Sequence, residues 1–150
     1  MIHSYQLTGE AFAFIISETA CHFPQETGGI LVGRVEGDCA FIQHATGPGP
    51  HANHALTKFK RDGHYSQEVL NKLIQDSSGT LDYIGEWHSH PVKSNPSSVD
   101  ITSMKWIAGN PQYAVTEPIM LLCYGSGLNR WELQCYALLK NKLRLLKSVT

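Results

Sequence analysis

The chain has 150 residues, a length suited to one domain with its own core. Twelve basic residues against thirteen acidic ones give a formal charge of −1, which supplies no basic field for nucleic acid. The longest apolar run, Ala11 to Ile16, is too short to span a bilayer and follows no basic leader, so the chain is read as cytoplasmic with no membrane partner.

Residues 3 to 7 read as a short strand. Gly9 to His22 reads as a helix with much apolar surface, closed by Pro24. Gly28 to Val35 and Asp38 to Ala45 read as two strands joined through Glu36-Gly37-Asp38, an antiparallel hairpin with Glu26 at its mouth. Gly47-Pro48-Gly49-Pro50 opens a loop carrying His51 and His54, for which a solvated setting is preferred over metal ligation. Leu56 to Lys60 reads as a further strand. Val69, Leu70, Leu73 and Ile74 mark a helical stripe within residues 64 to 76, with Gly79 as its stop.

Leu81 to His90 reads as a strand, and about Ser98 to Gly109 as a helix. Val99, Trp106 and Ile107 of that helix are assigned to packing. Ile119 to Tyr124 and Asn129 to Leu139 form a last hairpin around Gly125-Ser126-Gly127, and Lys140 to Lys147 is either a docking helix or a surface strand. With no repeats or linkers, residues 1–150 are expected to form one α/β unit: a mainly antiparallel sheet flanked by helices. Cys21, Cys39, Cys123 and Cys135 have no C-x-x-C spacing; Cys123 and Cys135 read as buried free thiols.

The chemistry concentrates in Gly85-Glu86-Trp87-His88-Ser89-His90-Pro91, followed by Ser97-Ser98-Val99-Asp100. Side chains two apart on a strand share a face, which puts His88 and His90 together. Ser97 has the character of a helix cap, and Asp100 then falls in the first turn, back toward the histidines. Two imidazoles and one carboxylate suit a three-ligand zinc site with its fourth position kept for water. A base is also needed, and the residues leave two acids open, Glu26 and Glu86.

His88-Ser89-His90-Pro91 and Ser97-x-x-Asp100, with Glu26 upstream in Glu26-Thr27-Gly28-Gly29-Ile30-Leu31-Val32-Gly33, resemble the signature of the JAMM (JAB/MPN) zinc metalloproteases. The resemblance implies a single MPN domain of cytidine-deaminase-like fold and zinc held by His88, His90 and Asp100. It also implies Glu26 as the proton-transferring base and Ser97 as a donor to the developing oxyanion. Six residues separate His90 from Ser97, one fewer than the family pattern, and starting the motif at Ser98 would put Ile101 in the ligand position.

The Glu-Trp-His-Ser-His-Pro form is similar to bacterial members of the family. Those are often encoded beside activating-enzyme-like and conjugating-enzyme-like proteins, in antiphage operons of the CBASS type or with interferon-induced-modifier-like conjugation. The implied activity is a peptidase or isopeptidase acting after the C-terminus of a ubiquitin-like protein, with the tail recognised by short loops and a sheet edge. Trimming of a sulfur-carrier protein and a non-catalytic MPN scaffold are the alternatives.

Overall fold

The computed structural model describes residues 1–127 and 130–149, the side chains at 126 and 127 excepted. One large mixed sheet, mainly antiparallel, forms the frame. Its strands are β1 (Ser4–Leu7), β2 (Gly28–Glu36), β3 (Cys39–Ala45), β6 (Asp82–His90), β7 (Ile119–Gly127), β8 (Arg130–Leu139), β9 (Lys142–Leu145) and β10 (Lys147–Ser148). They lie in the order β10-β1-β3-β2-β6-β7-β8-β9. A separate two-stranded hairpin pairs β4 (Asn53–His54) with β5 (Phe59–Lys60).

Ile30, Leu31 and Val32 form a continuous apolar run because β2 is central and covered on both faces. Leu31 joins Ile15, Ile42, Trp87 and Leu121 on one face, the side of helix α1 (Gly9–His22). Ile30 and Val32 join Met104, Ile107, Leu122 and Tyr136 on the other, the side of α2 (Gly63–Asp76) and α3 (Ser98–Gly109). Each helix starts on a polar cap whose side chain accepts an N–H of its first turn: Thr8, Asp62 and Ser97. No helix among the described residues is long and apolar enough to cross a membrane.

Several local expectations need correction. Leu56 to Lys60 is not a strand; only Phe59 and Lys60 are, paired back to Asn53 and His54. Of the two readings of Lys140 to Lys147, the strand holds and the docking helix does not: Lys142–Leu145 pair residue by residue with β8, and Lys147 then pairs with β1. β7 runs on through Gly127, so Gly125-Ser126-Gly127 is not the turn; the expected strand start at Asn129 lies outside the described residues. Val99 and Trp106 are not core: they are 66% and 61% exposed, while Ile107 is buried. Cys123 and Cys135 are buried free thiols.

Candidate metal and active site

Three elements meet at one end of the sheet. β6 ends there with His88 and His90, β2 begins beside it in antiparallel register with Gly28 opposite His88, and α3 starts above them. Ser89 points to the other face, is buried, and accepts the Thr27 N–H at 2.9 Å, while its own N–H bonds the Thr27 carbonyl at 2.8 Å. That double link fixes the chain entering β2 against the two-histidine strand. Gly28 has no space for a side chain: a Cβ would lie 2.3 Å from the Trp87 carbonyl and 2.9 Å from the Phe59 ring.

His88 Nε2 and His90 Nε2 are 3.0 Å apart. Asp100 Oδ1 is 3.0 Å from His88 Nε2, and Oδ2 is 3.6 Å from His90 Nε2. Ser97 and Asp100 close a capping box: Ser97 Oγ accepts the Asp100 N–H at 3.1 Å, and Asp100 Oδ2 accepts the Ser97 N–H at 2.8 Å. The same carboxylate therefore starts the helix and faces the imidazoles. Loop residue Ser94 takes the far side of His90, its Oγ 2.7 Å from Nδ1.

Glu26 is buried and offers an oxygen to the same cluster; its ligand atom and those of His88 and His90 all lie within 4.8 Å of one another. Burial pushes its carboxyl up to about 7, with His88 pulling down and Asp100 pushing up by smaller amounts. Asp100 goes the opposite way. Burial raises it, but the His88 hydrogen bond and charge, together with the Ser97 N–H, outweigh that and hold it at about 2. Burial, with His88 alongside, lowers His90 from its ordinary range. A neutral imidazole beside an ionised carboxylate is the protonation state a metal ligand needs.

The donor set fits a divalent cation. Two imidazole nitrogens facing each other at 3.0 Å can share one hydrogen or turn both lone pairs to a cation. In a tetrahedral zinc site with bonds of about 2.0–2.1 Å, ligand atoms stand roughly 3.3 Å apart, a value that lies between the 3.0 and 3.6 Å spacings seen among His88, His90 and Asp100. Glu26 could complete the histidine pair in place of Asp100. Asp100 is the better fit, since each of its oxygens already faces a different histidine nitrogen. Glu26 is thereby left free to act on a proton.

All five predicted residues thus gather at one place: Glu26, His88, His90, Ser97 and Asp100. Glu86 does not join them. Arg61 and Tyr83 take its carboxylate, with Arg61 reaching on to Tyr113 at 3.1 Å. His54, read as a solvated loop residue, is instead half-buried, 2.9 Å from the Glu26 carbonyl and stacked on His22. Neither that contact nor Ser94 on His90 left any signal in the sequence, since both depend on how loops fold back.

Residues 10–134 match the family of prokaryotic homologs of the JAB domain. A CD-NTase/cGAS isopeptidase of Escherichia coli is 35% identical over 123 residues, covering 81% of this chain and 73% of its own. A probable metalloprotease of Sinorhizobium fredii is 28% identical over 109 residues, 71% of this chain and 66% of its own. A protein of Desulfitobacterium hafniense solved in solution superposes with a TM-score of 0.74 over 97% of this chain and 91% of that one; at 17% identity the likeness is one of fold.

Proposed function

The chain belongs to the prokaryotic JAB-domain family, a bacterial branch of the JAMM hydrolases, and on that premise we propose that it is a zinc-dependent isopeptidase. The bond it cleaves joins a protein's C-terminal carboxyl to an amine. The observation that carries the reading is the convergence of His88, His90 and Asp100 with a buried Glu26 beside them.

His88, His90 and Asp100 are the residues that would hold zinc. When bound, zinc supplies Lewis acidity and lowers the pKa of water at its open position to about 7. Glu26 accepts the proton released as water attacks the carbonyl carbon. It then returns that proton to the leaving amine, so one carboxylate serves as base and then acid. Ser97 Oγ spends a lone pair as a helix cap and keeps its hydrogen, which can be donated to the developing oxyanion.

The substrate class follows from two sources. The resemblance points to a ubiquitin-like tail; the E. coli relative's name points to a CD-NTase/cGAS conjugate, the setting of CBASS operons, with activating-enzyme-like and conjugating-enzyme-like proteins as partners. An extended tail is read as lying beside the β4–β5 hairpin, whose backbone already pairs with residue 26, rather than along the large sheet, whose edge strands β9 and β10 belong to one segment.

The test presents the zinc-loaded protein with two conjugates to a lysine peptide, one made from a ubiquitin-like protein and one from a CD-NTase. Mass spectrometry reads the released C-terminus. Cleavage of either one, abolished by a zinc chelator, is expected, and the preferred conjugate identifies the substrate. Turnover that persists in metal-free protein would overturn the reading.

A further inference from the structure

Glu26 precedes β2, which begins at Gly28, so the large sheet's ladder does not position it. Its backbone is held elsewhere. The Glu26 N–H bonds the Ala55 carbonyl at 2.7 Å, and its carbonyl lies 2.9 Å from His54 Nδ1. A carbonyl only accepts, so Nδ1 carries the hydrogen and donates it. Both backbone polar groups of residue 26 are thus gripped by the β4–β5 hairpin, one by the end of β4 and one by the turn that follows it.

The His54 ring has little freedom to swing away. It stacks on His22 with centroids 4.1 Å apart and planes 10° from parallel, and the Phe59 ring is 5.4 Å off on the hairpin's other strand. His22 is itself held by Glu18, its Nδ1 3.1 Å from the carboxylate and 3.2 Å from the backbone carbonyl. Phe59 closes against Gly28. The end of α1, the hairpin and the mouth of β2 therefore form one packed unit around a single peptide group.

We propose that His54 is a positioning residue for Glu26: its Nδ1–H fixes the plane of the residue-26 carbonyl and so aims the carboxylate at the histidine pair. The inference rests on Glu26 being the proton-transferring group. A base must sit within hydrogen-bond reach of the proton it takes, and a misplacement of about 1 Å can cost on the order of a hundredfold in rate. With the carbonyl released, its peptide plane is held on one side only, by the Thr27 N–H bonded to Ser89 Oγ, and the aim of the carboxylate loosens.

His54→Phe keeps a ring for the stack and removes the donor. His54→Asn places an amide N–H at the same distance from the backbone as Nδ1 and restores the bond without the ring. Both variants are compared with wild type for turnover of the lysine-peptide conjugates, for zinc affinity by chelator competition, and for amide exchange at residue 27, whose N–H shares a peptide group with the residue-26 carbonyl, in the zinc-free protein. For His54→Phe, kcat is expected to fall about tenfold to a hundredfold, with KM and zinc affinity within about threefold of wild type. The residue-27 amide is expected to exchange at least about tenfold faster. His54→Asn is expected to recover both.

A His54→Phe protein with wild-type kcat and wild-type protection would overturn the proposal, as would equal losses in both variants. Glu26→Gln run alongside separates the two ideas. If it stays active, the base assignment fails; if it is dead while His54→Phe turns over normally, only the positioning role falls.

Discussion

Arg61 grips Glu86 with two nitrogens, Nε at 2.7 Å from Oε1 and a terminal nitrogen at 3.3 Å from Oε2. Tyr83 donates its hydroxyl to the same carboxylate. Glu86 shares a strand face with His88 yet is fully engaged away from it. Its role is to neutralise a partly buried guanidinium, whose side chain is 18% exposed.

The two acids are accordingly expected to separate cleanly. Glu26→Gln should bind zinc and fold while losing at least about a hundredfold in kcat, because an amide cannot take a proton from water. Glu86→Gln should keep most of its turnover at saturating zinc and lose about 2 kcal/mol of stability, since Arg61 keeps its charge with half its partner gone. Turnover, zinc content and urea unfolding of both variants check this. A dead Glu86→Gln with its zinc in place would reverse the assignment.

Stability against pH gives an independent measure of the Glu26 environment. In the zinc-free protein its carboxyl is pushed from an ordinary 4.5 to about 7. Below 4.5 both folded and unfolded chains hold the proton, and nothing is lost. Between 4.5 and 7 the unfolded chain ionises first, so stability falls as pH rises, and above 7 the full cost of about 3 kcal/mol is present. Zinc-free Glu26→Gln should therefore melt higher than wild type at pH 8, with the gap closing toward pH 4.5. A gap that does not change with pH would contradict it.

Ser94 sits in the loop that is one residue short of the family pattern, and that loop brings its Oγ to 2.7 Å from His90 Nδ1. The partner of a ligand histidine's other nitrogen sets ring orientation and tautomer, and its loss typically costs about 10–100-fold in metal affinity. Ser94→Ala is expected to weaken zinc binding by that factor in a chelator competition, with turnover recovered by excess zinc. Unchanged affinity would show the contact to be incidental.

Thiol alkylation should leave activity intact. Burial pushes the Cys123 thiol up to about 11 and Cys135 upward as well, so neither offers thiolate near neutrality. Cys21 is exposed and should be modified, which serves as the internal control. Iodoacetamide treatment followed by a turnover assay is the check. Loss of activity with zinc retained would point to a thiol mechanism.

The parts of the site legible in the sequence are those set by local periodicity. The two-residue repeat of a strand put His88 and His90 on one face, and cap chemistry put Asp100 in a first turn. Irregularities were not legible. Ile84 is an extra residue against β2, where Gly85 pairs with Leu31 and Tyr83 with Val32. This bulge sends Ile84 to the α1 face and leaves Tyr83 on the side of Glu86. The β4–β5 hairpin, with two residue pairs in its ladder, carries too little pattern to be told from loop, so His54 looked solvated. Trp106 and Val99 carry apolar side chains that propensity assigns inward; α3 instead buries Met104 and Ile107 and turns those two out.

The outermost strands of the sheet, β9 and β10, are separated in the chain by Leu146 alone. One segment therefore zips to β8 as a local hairpin and, a residue later, to β1, where Ser4 pairs with Lys147. The first pairing is kinetically inexpensive and the second closes a loop of nearly the whole chain, the kind of contact that forms late. On a ribosome, residues 26 to 100 emerge before this clasp exists. The strand that carries His88 and His90 still waits for β7, its neighbour in the ladder, so the histidine end of the sheet and the clasp are both completed by residues beyond 118.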